Sequence, residues 1–192
     1  SFANSKSDVE RLRTFSGNSV EIIAKIESRL GLQNLDSILG VTDAILIDRG
    51  DLAREIPLQS LPFTQKNVIQ HANQKGVPVY VATNLLESMV TNVHPTRAEV
   101  NDVINTLIDG ADGLVLAAET TIGKHPVESV QMIRGLINEF QSRKTGQYIP
   151  TSYSNWPTLP SPHGDVLVDR IITEYDDAAI HRLPRIQVNK QT

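Results

Sequence analysis

The chain has 192 residues, 40% of them apolar and 21% charged, and it contains no cysteine. That excludes a chain disordered throughout, a disulfide scaffold, thiolate metal ligands and a cysteine nucleophile. A net charge of −4 provides no basic field for nucleic acid or anionic lipid, so neither is expected as a partner. No apolar run reaches the ~18–20 residues of a membrane span. The opening SFANSKSDVE lacks a charged-then-apolar leader pattern. A cytoplasmic setting is therefore expected. The first residue is Ser rather than Met, so a preceding segment is also expected.

In chain order, the pattern predicts a helix over Lys6–Phe15, with Ser5 or Ser7 as cap and Val9, Leu12 and Phe15 on one stripe. Val20–Glu27 reads as a buried strand, and Gly31–Leu39 as a short helix. Asp43–Asp48 is a second strand, closed by Arg49-Gly50-Asp51. Leu61–Lys75 is a long helix stopped by Gly76, and Val77–Thr83 is a third strand. Thr96–Asp109 is a helix, with Thr96 and Glu99 forming a capping box. Gly113–Ala117 is a fourth strand, and Pro126 to about Ser142 is the last helix.

These near-continuous apolar strands, each followed by a helix, predict a parallel α/β sheet. An open doubly wound sheet and a piece of a (β/α)8 barrel both fit. No glycine-rich phosphate loop follows the first strand, which counts against a dinucleotide fold. Residues 144–160 hold the only Trp and many Ser, Thr and Pro, and read as a linker. Residues 161–192 form a tail, extended around Val166, Val168, Ile171 and Ile172, and too short for its own core.

Ligands of parallel sheets bind at the carboxyl ends of the strands. Those ends carry Lys25 and Glu27, which alternation puts on one side, then Arg49-Gly50-Asp51, Thr83-Asn84 and Glu119-Thr120. Two carboxylates, Glu27 and Asp51, suit Mg²⁺. A lysine beside them can neutralise charge on a transferring phosphoryl group. The alternative is a ring of structural salt bridges closing the sheet's end. Glu87 and Arg97 are expected to make ion pairs or caps, and Leu85, Leu86 and Met89 to be core.

The runs Ile22–Glu27, Arg49–Leu52, Ala82–Met89, Pro95–Glu99 and Asp109–Asp112 resemble pyruvate kinase, in that family's order and approximate spacing. Ser1-Phe2 and Ser7-Asp8-Val9 resemble it too. The resemblance implies parallel (β/α) repeats forming about half of a (β/α)8 TIM-type barrel over residues 1–143. It further implies glycolytic phosphoryl transfer between phosphoenolpyruvate and ADP, giving pyruvate and ATP, with Mg²⁺ or Mn²⁺. On this reading Lys25 and Thr83 are catalytic, Thr83 near the proton-transfer end. Arg49, Gly50, Asp51 and Thr83 bind substrate, and Glu27 and Asp51 hold the metal. The family's first half-barrel, with its K⁺ and nucleotide residues, its lid and its regulatory domain, has no counterpart here. A homo-oligomer, or association with the missing half across two open edges, is therefore expected.

The sequence departs from the family pattern at Asp48 (usually Ala), Ala53 (Gly), Asn84 (Gln) and Ala117-Ala118 (Ser-Gly). Asp48 adds a negative charge that repels an anionic substrate unless it points away. Pro162-His163-Gly164, Leu167–Arg170 and Leu183–Ile186 resemble the N-terminus of ATP sulfurylase. The second functional reading is accordingly a non-catalytic, regulatory or docking module attached to a sulfurylase.

Overall fold

The protein is described by a computed structural model that covers residues 1–144 and, for the backbone alone, 170–173. The strands are β1 (Ile23–Ile26), β2 (Ala44–Asp48), β3 (Val79–Ala82), β4 (Gly113–Leu116) and β5 (Arg170–Thr173). They form one sheet in the order β1-β2-β3-β4-β5, every neighbouring pair parallel. Eight α-helices accompany them among the described residues: α1 (Lys6–Ser16), α2 (Arg29–Gln33), α3 (Leu35–Leu39), α4 (Arg49–Glu55), α5 (Leu61–Gln74), α6 (Arg97–Ile108), α7 (Ala118–Thr121) and α8 (Pro126–Lys144). None of the described helices is long and apolar enough to cross a membrane.

Alternation sorts each strand's side chains between two cores. Ala24, Ile26, Ile45, Ile47, Val79 and Val81 pack with Val68, Ile69 and Ala72 of α5. Leu114 and Leu116 continue that layer with Val103 and Leu107 of α6 and Ile133 and Ile137 of α8. On the opposite face Ala44, Leu46, Tyr80, Ala82 and Val115 form a second, smaller cluster. All five residues of β2 are buried. Burial on both faces explains why the strands read as unbroken apolar runs rather than alternating ones. Leu85, Leu86 and Met89 are fully buried, as their apolar character implied.

Several elements differ from the sequence reading. The helix expected over Gly31–Leu39 is two short ones, broken at Asn34, which is the C-cap of α2 and the N-cap of α3. The stripe on α1 is buried only at Val9, while Leu12 and Phe15 are exposed because nothing among the described residues packs on them. Arg49-Gly50-Asp51 is the first turn of α4 rather than a strand-ending loop. The Asp48 carboxylate caps it by accepting the Asp51 N–H at 3.3 Å. The capping box at Thr96 and Glu99 forms as expected, with reciprocal bonds of 3.2 and 2.7 Å.

Two sheet edges, at the first and fourth strands, were expected. The sheet does end in two edge strands, but β5 pairs with β4 through Gly113↔Arg170 to Leu116↔Thr173, so the edge on that side is β5. At the other edge Ala3 donates its N–H to the Lys25 carbonyl at 3.2 Å, so the chain's first residues run beside β1. The remainder of the linker and tail, with Trp156 and the sulfurylase-like runs, lies outside the described residues.

Candidate active site

The strand register lines up the functional groups. Lys25 pairs with Leu46 and Asp48 with Ala82, and these positions face the same side as Ile23, Ala44 and Tyr80. Beyond the carboxyl ends of the strands the small cluster gives way to an open pocket of about 340 Å³. Its lining includes Lys25, Asp48, Gly50, Asp51, Thr83 and Glu119. Carboxylate oxygens of Glu27, Asp48 and Asp51 all lie within 4.8 Å of one another. Lys25 Nζ stands 3.2 Å from Glu27 Oε2 and 2.9 Å from Asp48 Oδ2.

Glu27 and Asp48 are almost completely buried, so their charges depend on these partners. Glu27 also accepts the N–H of Phe2. Burial pushes the Asp48 carboxyl upward. The Lys25 ammonium, the Asp51 N–H and the Thr83 hydroxyl outweigh it and hold the group below the usual aspartate range. Asp48 was noted in the sequence only as a departure that must point away to be harmless. It points inward, against Lys25, and joins Glu27 and Asp51.

Thr83 closes the opposite side. Its Oγ1 accepts the Gly50 N–H at 2.8 Å and lies 3.2 Å from Asp48 Oδ1. A Cβ at Gly50 would stand in ordinary contact with Thr83 Oγ1, at 3.4 Å, and Asp48 Oδ1, at 3.5 Å. The backbone that aims Thr83 is strained: φ is +67° at Thr83 and +53° at Asn84. For a β-branched residue this region costs on the order of 1–3 kcal/mol and persists only where surrounding contacts enforce it.

Arg49 supplies those contacts. Its guanidinium donates to the Thr83 carbonyl at 3.0 and 2.7 Å, to the Asn84 carbonyl at 2.8 Å and to Asp102 Oδ2 at 2.6 Å. The side chain is buried in this role and does not line the pocket, although its neighbours Gly50 and Asp51 do. Glu119 is likewise buried, accepting the N–H groups of Leu86 at 3.0 Å and Ala117 at 2.9 Å. Glu87 accepts from the Asn84 amide at 2.6 Å on the rim. Arg54, absent from the sequence reading, also lines the pocket and lies 3.5 Å from Asp51, three residues earlier on α4. A helix assigned there would have exposed that pairing.

The donor set is chemically suited to a hard divalent cation. It is all carboxylate oxygen gathered within 4.8 Å, the hard donor type that Mg²⁺ takes. The cluster of Lys25, Glu27, Asp48 and Asp51 has three anionic groups against one cationic group.

Comparison with known proteins places this geometry in context. Residues 1–130 match the model of the family described as pyruvate kinase, barrel domain. A pyruvate kinase of Sporosarcina psychrophila is 47% identical over 135 residues, covering 68% of this chain and 23% of that protein. One from Thermotoga maritima is 43% identical over 127 residues, covering 66% and 27% respectively. One from Mycobacterium tuberculosis is 41% identical over 148 residues, covering 76% and 31%. The chain thus spans about a quarter to a third of the length of these relatives. These matches give the sulfurylase-like reading of the tail no support.

Proposed function

The chain belongs to the pyruvate kinase family, within its barrel domain, and on that premise we propose that its pocket handles phosphoenolpyruvate or pyruvate together with ADP or ATP and a divalent cation. The observation that carries the reading is the convergence of Lys25 and Glu27 at the end of β1, Asp51 in the first turn of α4 and Thr83 after β3 on one mouth. Glu27 and Asp51 would hold Mg²⁺ or Mn²⁺, which when bound supplies charge neutralisation for the phosphoryl and enolate oxygens. Lys25 places its ammonium where charge on a transferring phosphoryl group needs it. Gly50 and Asp51 border the place of the substrate carboxylate, and Thr83 Oγ1 holds a proton on the far wall. Arg49 acts through the backbone of Thr83 and Asn84. We assign residues 1–143 to the barrel part, 144–160 to a linker and 161–192 to a tail.

The test is Mg²⁺-dependent pyruvate release from phosphoenolpyruvate and ADP by the full chain. Release that falls on the order of 10²-fold or more in Lys25→Met supports the transfer reading. Mn²⁺ binding without any release overturns it in favour of a module that binds and docks. The ion pair between Lys25 and Asp48 is the observation that favours this second reading.

A further inference from the structure

Asp48 already occupies the groups that the proposed reading reserves for the substrate. Its Oδ2 is 2.9 Å from Lys25 Nζ, the cation assigned to the phosphoryl group. Its Oδ1 takes the Asp51 N–H at 3.3 Å, on the side assigned to the substrate carboxylate, and lies 3.2 Å from Thr83 Oγ1 on the far wall. It is 4% exposed and sits at the end of β2, so it cannot swing clear without breaking the cap of α4. An internal carboxylate therefore stands on the anion's partners.

The charge balance points the same way. Glu27, Asp48 and Asp51 face Lys25, with Arg54 and Glu119 also on the pocket wall, so Asp48 contributes one of several negative charges there. An uncharged residue at position 48 would make the loaded site one unit more positive and more attractive to an anion. At about 6 Å in water-like dielectric, one unit of site charge changes affinity about threefold per ligand charge. Pyruvate carries one charge. Phosphoenolpyruvate, a carboxylate plus a doubly ionised phosphate, carries about three near pH 8.

Resting on the divalent-ion reading above, we propose that Asp48 is a specificity-determining residue. It serves as a third oxygen ligand that tightens binding of the cation, and as a built-in competitor that turns the loaded site away from the phosphorylated acid and toward the singly charged 2-oxo acid. The same side chain thus strengthens one ligand and weakens another.

The test uses the full 192-residue chain, with Asp48→Asn, which retains a helix-capping oxygen, and Asp48→Ala, both checked for native circular dichroism. Mn²⁺ binding is followed by electron paramagnetic resonance. Phosphoenolpyruvate and pyruvate binding at saturating Mn²⁺ are followed by calorimetry. The expected result is Mn²⁺ affinity about tenfold weaker in both variants, phosphoenolpyruvate affinity about 30-fold stronger and pyruvate affinity about threefold stronger. In the unmodified chain phosphoenolpyruvate should bind no more tightly than pyruvate, a comparison that needs no variant. Unchanged Mn²⁺ affinity, or equal factors for the two acids, overturns the assignment of Asp48 while leaving the metal reading standing. Absence of Mn²⁺ binding by the unmodified chain and both variants overturns the metal reading itself, and this inference with it.

Discussion

Replacing Arg49 by lysine tests whether the Thr83–Asn84 backbone is held by the guanidinium fork or by positive charge alone. The fork makes three bonds to two carbonyl oxygens, at 3.0, 2.7 and 2.8 Å, and one to Asp102 at 2.6 Å. Lysine keeps the charge but is a single point donor and satisfies about one of these acceptors at a time. The Asp102 bond contributes little, because that carboxylate is 41% exposed and an exposed ion pair is worth about 0–1 kcal/mol. Each bond from a charged donor to a carbonyl contributes about 1.5–3 kcal/mol, with the lower end appropriate where two bonds share one oxygen. Losing all but one therefore costs about 3 kcal/mol. With a urea slope of about 1–3 kcal/mol per molar, the Arg49→Lys midpoint should fall by about 1–3 M. Urea titration of the full chain, followed by far-ultraviolet circular dichroism, measures this directly. A midpoint within about 0.3 M of the unmodified chain would refute the reasoning. It would mean that the left-handed Thr83 and Asn84 are sustained without the fork.

Other consequences concern the elements around the site. Gly110 has φ +99°, and a Cβ there would meet Asn73 Nδ2 at 2.6 Å. Gly110→Ala should therefore cost about 1–3 kcal/mol, read as a lower urea midpoint. Burial raises the Glu99 carboxyl, but the Ser88 hydroxyl and N–H and the Thr96 N–H and hydroxyl outweigh it, so the group sits below the ordinary glutamate value of 4.5. A depressed carboxylate stabilises the fold above its unfolded value, and that contribution is lost as pH falls through the folded one. Glu99→Gln should therefore cost about 0.5–2 kcal/mol at pH 7. The deficit should shrink below pH 4.5. A deficit that stays constant from neutral to acid pH would refute the ionised capping box.

The four core strands were legible because burial on both faces leaves an unbroken apolar run, and their ends located the pocket. Period-two alternation was enough to put Lys25 and Glu27 on one side. Family resemblance then named Glu27, Asp51 and Thr83 with roles that pattern alone left open. Three features escaped for physical reasons. Asp48 looked like an intruder when compared with an alanine pattern, yet an Asp three residues before another backbone donor is also a helix-cap signature. Overlooking that cap hid α4, and with it the Asp51–Arg54 pairing. The left-handed backbone at Thr83 was unreadable, since threonine is among the residues least suited to it and the contacts around it come from residues distant in sequence, Arg49 at the start of α4 foremost. The α1 stripe was overread, because periodicity reports an apolar face and not what covers it.

The pairing of β5 with β4 has a consequence for how this sheet can grow. A ring of strands needs both flanks of a half-ring available at once. Here β5 stands beside β4, so a strand joining on that flank would meet β5 rather than β4 unless it displaced it. On the other flank the Lys25 carbonyl of β1 already accepts the Ala3 N–H, so the chain's first residues would have to shift before a strand could pair there along its whole length. Ring closure therefore asks for a rearrangement on β1's side and a choice between extending and replacing four residues of backbone on β5's.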